Sequence, residues 1–182
     1  MRSLFQKKWF FPVLGGLLVL LLILNKILPS PKFVQNEGPE YKSIKLGVSS
    51  RQDVIKSLGD PLSISQKNAG EVLEYKSSNP NFNNEVEIVN EKASFIREVI
   101  TSADNKIIST ITDVYGEAPY SLYGLASGAG FKLYIYPDRG VAYIGHAASG
   151  NLLEIWYFTP MSYGDFKSNL AGGYSETQKF VQ

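Results

Sequence analysis

Gly47-Val48-Ser49-Ser50-Arg51-Gln52-Asp53-Val54-Ile55-Lys56-Ser57-Leu58-Gly59-Asp60-Pro61 carries the start and the stop of one short helix. Ser49 is placed to cap it, with Gln52 three residues on completing a capping-box pattern. Val54, Ile55 and Leu58 supply the apolar stripe. Gly59 tolerates a left-handed conformation and Pro61 cannot continue a helix, so the element ends there. A helix this short and poor in alanine is marginal alone and needs a surface to lie on.

The same logic returns further along. Asp104 is placed to cap a second helix in which Ile107, Ile108, Ile111, Val114 and Tyr115 fall at helical spacing, and Gly116 and Pro119 end it. After the first helix, residues 72–77, 85–89 and 94–100 are rich in β-branched types and alternate apolar with polar, with Asn90-Glu91-Lys92 as a tight connection. After the second come 131–136, 141–146 and 152–158, joined by Pro137-Asp138-Arg139-Gly140 and Ala147-Ala148-Ser149-Gly150. The expected fold class is therefore α+β: two tandem units, 43–102 and 103–158, each a helix plus a three-stranded antiparallel meander. A short helix over 162–170 and a polar tail complete the segment 159–182.

Upstream, residues 29–42 hold three prolines and little periodicity and read as a linker. Before it, Trp9-Phe10-Phe11-Pro12-Val13-Leu14-Gly15-Gly16 and the leucine-rich run to Leu28 make an apolar stretch over 9–28. A membrane-crossing helix needs about 20 such residues; Asn25 and Lys26 fit if they sit at an interface. The stretch exceeds the core of a secretory signal and lacks a small-residue cleavage site after it, so an uncleaved anchor is expected. Arg2, Lys7 and Lys8 keep residues 1–8 on the cytoplasmic side, which exports everything after the span. The expected location is the plasma (inner) membrane of a bacterial envelope, by a single pass.

Composition narrows the exported part. Arg2, Lys7, Lys8 and Lys26 lie at or before the end of the span, leaving 14 basic against 17 acidic residues, a charge near −3. That argues against nucleic acid or anionic lipid as its partner. With no cysteine the chain has neither disulfides nor thiol chemistry, and its stability must come from an ordinary core.

Strand alternation separates two sheet faces. In the first unit Leu73, Tyr75, Val86, Ile88, Ile96 and Ile100 turn toward the helix, leaving Glu74, Lys76, Glu85, Glu87 and Arg97 as a solvated face. In the second, Leu133, Ile135, Ile144, Leu153 and Ile155 turn toward theirs, leaving Tyr134, Tyr136, Tyr143, Trp156 and Phe158 on the other. Five aromatics on one face call for a cover. Packing of the two units or the helix carrying Phe166 and Leu170 would supply it from within; a partner protein or a sugar would supply it from outside. These five are the candidate binding residues.

Chemistry-bearing groups are sparse. His146 is the single histidine, with Ser149 as a conceivable nucleophile, and reads as structural more readily than as catalytic. Clusters of histidine or cysteine for a metal cannot form, and no cofactor motif stands in context: Gly128-Ala129-Gly130 opens a strand where a phosphate loop would open a helix. Glu85 and Glu87 share a strand face and Asp138 sits in a turn, in no glycosidase-like setting. The reading is a non-enzymatic module that binds an envelope protein, with cell-wall carbohydrate as the alternative ligand and a hydrolase using His146 behind that.

The stretch from Ile44 to Pro61, with Glu74-Tyr75 on the strand after it, resembles the small-lipoprotein (BamE-like) family of the outer-membrane β-barrel assembly machine, and the tandem helix–sheet arrangement is similar to the secreted β-lactamase inhibitory proteins. Gly47, Ser49, Leu58, Gly59 and Pro61 match the family's pattern, with Val54 one residue out of step. The resemblance implies a non-enzymatic binding scaffold outside the cytoplasm. The chain departs from those lipoproteins in having no cysteine to lipidate.

Overall fold

A computed structural model describes residues 38–67 and 70–178; the candidate anchor over 9–28 lies outside them. The described chain runs β1 (Glu40–Tyr41), β2 (Ile44–Lys45), α1 (Arg51–Leu58), β3 (Ser63–Lys67), β4 (Gly70–Tyr75), β5 (Asn84–Val89), β6 (Lys92–Val99), α2 (Ser109–Tyr115), β7 (Tyr120–Leu122), β8 (Phe131–Tyr136), β9 (Val141–His146), β10 (Asn151–Phe158) and α3 (Tyr163–Asn169). It is a mixed α+β fold. Eight strands form one antiparallel sheet in the order β3-β4-β5-β6-β10-β9-β8-β7, so two four-stranded meanders meet at the β6–β10 pair. Each meander has one strand more than the sequence pattern predicts, because β3 and β7 were not expected.

The β1–β2 hairpin and α1 lie on one face of the first meander, and Tyr41, Ile44, Leu46 and Val54 pack there with Leu73, Tyr75, Val86, Ile88 and Ile96. The expected helix-facing set is thus met, except for Ile100, which packs in the second half. α2 covers the same face of the second meander, with Ile108 and Ile111 against Tyr136, Val141, Tyr143 and Ile155. α3 lies on the opposite face, with Phe166 and Ala171 over Leu133, Ile135, Ala142, Trp156 and Phe158. The expected linker over 29–42 stops short, since Glu40 and Tyr41 are the first strand and Tyr41 is buried.

Local signals act nearly as the sequence requires. The cap of α1 is Ser50, one residue beyond the expected Ser49: its side chain accepts from Asp53 N while the Asp53 carboxylate accepts from Ser50 N at 2.8 Å. Hydrogen bonds from Ser50 hold the Asp53 carboxyl below the usual range. Ser49 instead accepts from Lys45 N at 3.0 Å. Asp104 is not a helix cap: it is the last residue of a separate 3-10 turn capped by Thr101, and its carboxylate accepts from Thr101 N at 2.7 Å and Ser78 Oγ at 2.5 Å. α2 therefore starts later than expected, and Ile107 and Val114 stay exposed.

Candidate functional site

A recess of about 210 Å³ opens beside the end of α1. Its walls are Tyr41 and Lys42 from the hairpin, Leu58, Asp60 and Leu62 from the end of the helix and the segment after it, and Tyr75, Lys76, Asn84, Val86 and Ile96 from the sheet. The helix stop builds the rim. Gly59 leaves the helix at φ 85°, its N–H still bonded to Ile55 O at 2.8 Å, and Leu62 N then donates to Glu74 O at 2.8 Å. Asp60 and Leu62 are thereby pinned between helix and sheet.

The opposite rim is under backbone strain. Lys42 and Ser43 form the two-residue loop of the β1–β2 hairpin, both at positive φ (46° and 67°), the geometry of a turn that asparagine and glycine fill most easily. The chain uses Asn90 in the comparable β5–β6 turn and lysine here. Ser57 of α1 donates to Lys42 O and holds the loop against the helix. Lys42 Nζ stands 5.0 Å from the centre of the Tyr41 ring at the mouth of the recess.

Inside, the phenol oxygen of Tyr75 is buried and has no hydrogen-bond partner among the described residues. Burial pushes its pKa up, with Arg51 opposing and Asp60 adding to the rise. A buried hydroxyl without a partner is costly, roughly 1–3 kcal/mol. The recess thus presents apolar walls, with two lysines against one aspartate among its lining residues.

The five aromatics expected on one face are divided between two. Tyr134 and Tyr143 are Cα partners and their rings stack at 4.9 Å; with Tyr136, whose hydroxyl donates to Gly116 O at 2.6 Å, they lie under α2. Trp156 and Phe158 lie on the other face with Leu133 and Ile135, under α3. The cause is a β-bulge between Leu152 and Glu154, where β10 gains one residue against β9 and its alternation changes phase. Leu133 and Ile135 of β8, whose pairing with β9 is regular, lie on the face beneath α3 rather than α2. Of the five, Tyr136, Tyr143, Trp156 and Phe158 are buried and only Tyr134 is partly open. Internal packing covers them.

The remaining singled-out residues have local partners. His146 Nδ1 accepts from Ser149 N at 3.1 Å, so the imidazole meets the backbone of Ser149, and its ring edge packs 5.3 Å from Phe131. Glu85 pairs with Arg97, which also reaches Glu154 at 3.2 Å, and Glu87 pairs with Lys67. This face of the first meander is charged as expected, though Lys76 belongs to the recess. Asp138 is exposed beside Arg139, 3.6 Å away. Among the described residues no group of three potential ligands could hold a metal, and no helix is long and apolar enough to cross a membrane.

The sequence reading missed the recess because its walls come from five separate segments. The helix stop at Gly59 was visible, but where the chain returns to the sheet was not.

No family model matches the chain, and no curated protein matches it. Among solved structures it is similar to a DUF4309 family protein (YjgB) from Bacillus subtilis, at 13% identity over 68% of this chain and 88% of that one, with a TM-score of 0.45. It is also similar to an extracellular protein containing an SCP domain from Bacillus anthracis, at 11% identity and a TM-score of 0.44, over 72% of this chain and 50% of that one. The chain thus spans half the length of the second.

Proposed function

We propose that this chain is a membrane-tethered binding module of the bacterial cell envelope, a non-enzymatic scaffold whose recess beside α1 takes a partner protein. Residues 9–28 cross the plasma membrane, 1–8 stay cytoplasmic, and the α+β domain stands outside. Residues 43–102 and 103–158 are tandem versions of one helix–meander unit, related to the assembly lipoproteins and inhibitory proteins that the sequence resembles. What supports the repeat is a matched set of details. α1 and α2 end at Gly59 and Gly116 with nearly the same backbone angles (φ 85°, ψ −170° and φ 76°, ψ −162°), a proline follows each, and each leads into an edge strand of the sheet.

The observation that supports the binding role is the recess itself, apolar within and lined at its mouth by Lys42 and Lys76 against Asp60. A partner that fills it buries apolar wall and meets a net positive rim. The recess and not the five aromatics is the proposed interface, since four of the five are buried and Tyr134 is only partly open.

Two experiments test this reading. Because the chain has no cysteine, Ser3→Cys and Ser175→Cys give clean single sites for a membrane-impermeant maleimide in intact cells. Labelling at residue 175 and protection at residue 3 is the expected result, and the reverse overturns the topology. Photo-crosslinking from Leu62 should trap a discrete partner, whereas the same probe at the buried Tyr143 should not. Equal capture from both positions, or from neither, sinks the recess as the binding site.

A further inference from the structure

The two edges of the sheet are treated differently by the chain itself. At the β7 edge the tail turns back and bridges: Tyr123 N donates to Ser175 O at 2.7 Å and Ser175 N to Tyr123 O at 2.9 Å, while Tyr120 stacks on Tyr163 at 4.1 Å. At the other edge β3 pairs only with β4, and all five of its residues are exposed. Among the described residues nothing pairs with its outer side. Alternate residues of an edge strand turn backbone N–H and C=O groups away from the sheet, where another backbone satisfies them best. The edge itself carries only one charge, Lys67 at its far end, which is occupied by Glu87.

Chain direction links this edge to the recess. β3 begins one residue after Leu62, which lines the recess, and runs away from it. Leu62 and Ile64 are two residues apart and so share a face; they are 63% and 50% exposed, whereas Ser63 and Ser65 face the other way. Every pairing within the sheet is antiparallel. A strand added in that sense runs toward the recess, whose charged lining residues are Lys42 and Lys76 against Asp60.

We propose that β3 is a strand-addition site for an extended C-terminal peptide of a partner protein, apolar at alternate positions, whose terminal carboxylate enters the recess. This rests on the recess being the binding site and names the chemistry it takes. Main-chain hydrogen bonds along Ser63–Lys67 would give affinity, Leu62 and Ile64 would select apolar side chains on one face, and the lysines would read the carboxylate. A second copy of this chain fits less well: a ladder of about five residues per side buries far less than the roughly 1,000 Å² of a stable dimer, and β3 brings no carboxylate.

The probe is a fluorescent octapeptide alternating valine and threonine with a free C-terminus, titrated by anisotropy into the 182-residue chain in detergent micelles. Three control peptides carry alternate N-methylated amides, a C-terminal amide, or the valines replaced by serine. The free-acid peptide should bind and slow amide exchange in Ser63–Lys67. N-methylation should abolish binding, and amidation, or Lys42→Ala with Lys76→Ala, should weaken it about tenfold, the scale of one charge-assisted hydrogen bond. Equal binding of the methylated peptide, protection elsewhere, or concentration-dependent dimerisation through β3 overturns the proposal.

Proline at Ser63, Ile64, Ser65 and Gln66 in turn gives a second test. The two variants whose N–H faces outward should keep the wild-type melting temperature and lose the peptide; loss of peptide only where the fold also melts refutes strand addition. Binding that survives amidation and the double lysine variant, yet fails with N-methylation, would keep the edge and discard the recess. Binding that survives N-methylation but not amidation or the double lysine variant would do the reverse.

Discussion

Trp156→Ala separates a packing role from a binding role at the residue the sequence marks most strongly. In the fold this indole is 7% exposed, with the rings of Phe95, Tyr174 and Phe166 at 5.7, 5.8 and 6.3 Å and its N–H donating to Glu154 at 2.7 Å. Truncation to alanine removes the transfer free energy of the indole and leaves a cavity between sheet and α3, together worth about 3–5 kcal/mol. The lost hydrogen bond adds little, because Glu154 keeps Arg97 at 3.2 Å. A domain of this size has a total stability of about 5–15 kcal/mol, so the variant should melt roughly 10–15 °C lower. The assay is far-ultraviolet circular dichroism of the 182-residue chain in detergent, with Trp156→Phe as the control that keeps a ring and should lose less than half as much. A Trp156→Ala protein melting within about 2 °C of the parent, while failing to hold a crosslinked partner, would refute the packing argument and return this residue to an interface.

Three further outcomes follow from other parts of the fold. Lys106→Met strips the buried Glu98 of a cation bonded to both its oxygens at 2.8 Å, leaving only the Tyr41 and Tyr157 hydroxyls at 3.4 and 3.3 Å. With Lys106 about one-third open to water, the loss should be about 2 kcal/mol in urea unfolding, and adding Glu98→Gln should recover part of it; a purely additive pair would show no coupling. Gly140→Ala forces a Cβ to within 2.1 Å of Phe158 O at φ +66°, and should cost at least about 2 kcal/mol, while Gly128→Ala, which meets nothing within 4 Å, should be near neutral in the same melt. Burial raises the Tyr174 phenol to about 12, and burial with the Glu98 charge raises Tyr41 and Tyr157 also. The folded state then holds protons that the unfolded chain gives up, so stability present below about pH 10 should fall as pH rises above it, and tyrosinate absorbance should lag until the chain unfolds; an early, non-cooperative titration of these residues would contradict their burial.

What the sequence shows plainly is wherever a local rule acts alone. β8 and β9 have the expected bounds because alternation and turn chemistry agree there: Pro137 opens the connecting turn and Gly140 closes it at positive φ. The end of α1 needs only Gly59. By contrast, β3 reads Ser-Ile-Ser-Gln-Lys, too polar to announce a strand, and is held by its ladder with β4 alone. β7 is three residues long. The β1–β2 hairpin turns through Lys42-Ser43, a pair no turn rule favours, because Ser57 holds that loop from outside it. These features depend on neighbours distant in sequence, and periodicity carries no trace of them.

The same limit explains why the aromatic face dissolved. Alternation fixes the face of each residue relative to its own strand neighbours, and a single bulge resets that phase for everything after it. Leu153 is the extra residue in β10, so Ile155 and Tyr157 change places with Trp156 and Phe158. The exchange gives both helices of the second half a hydrophobic seat: Ile155 under α2, and Trp156 with Phe158 under α3. Without the bulge, all five aromatics would crowd one side and leave the other to aliphatic residues alone. It also sets the seam between the meanders, where Tyr157 now meets Tyr41 at 5.1 Å and shares Glu98 with it. One inserted residue therefore turns what reads as a sticky surface into a two-sided core. The bare β3 edge is then where the described fold turns backbone groups outward, and the recess lies at the start of that strand.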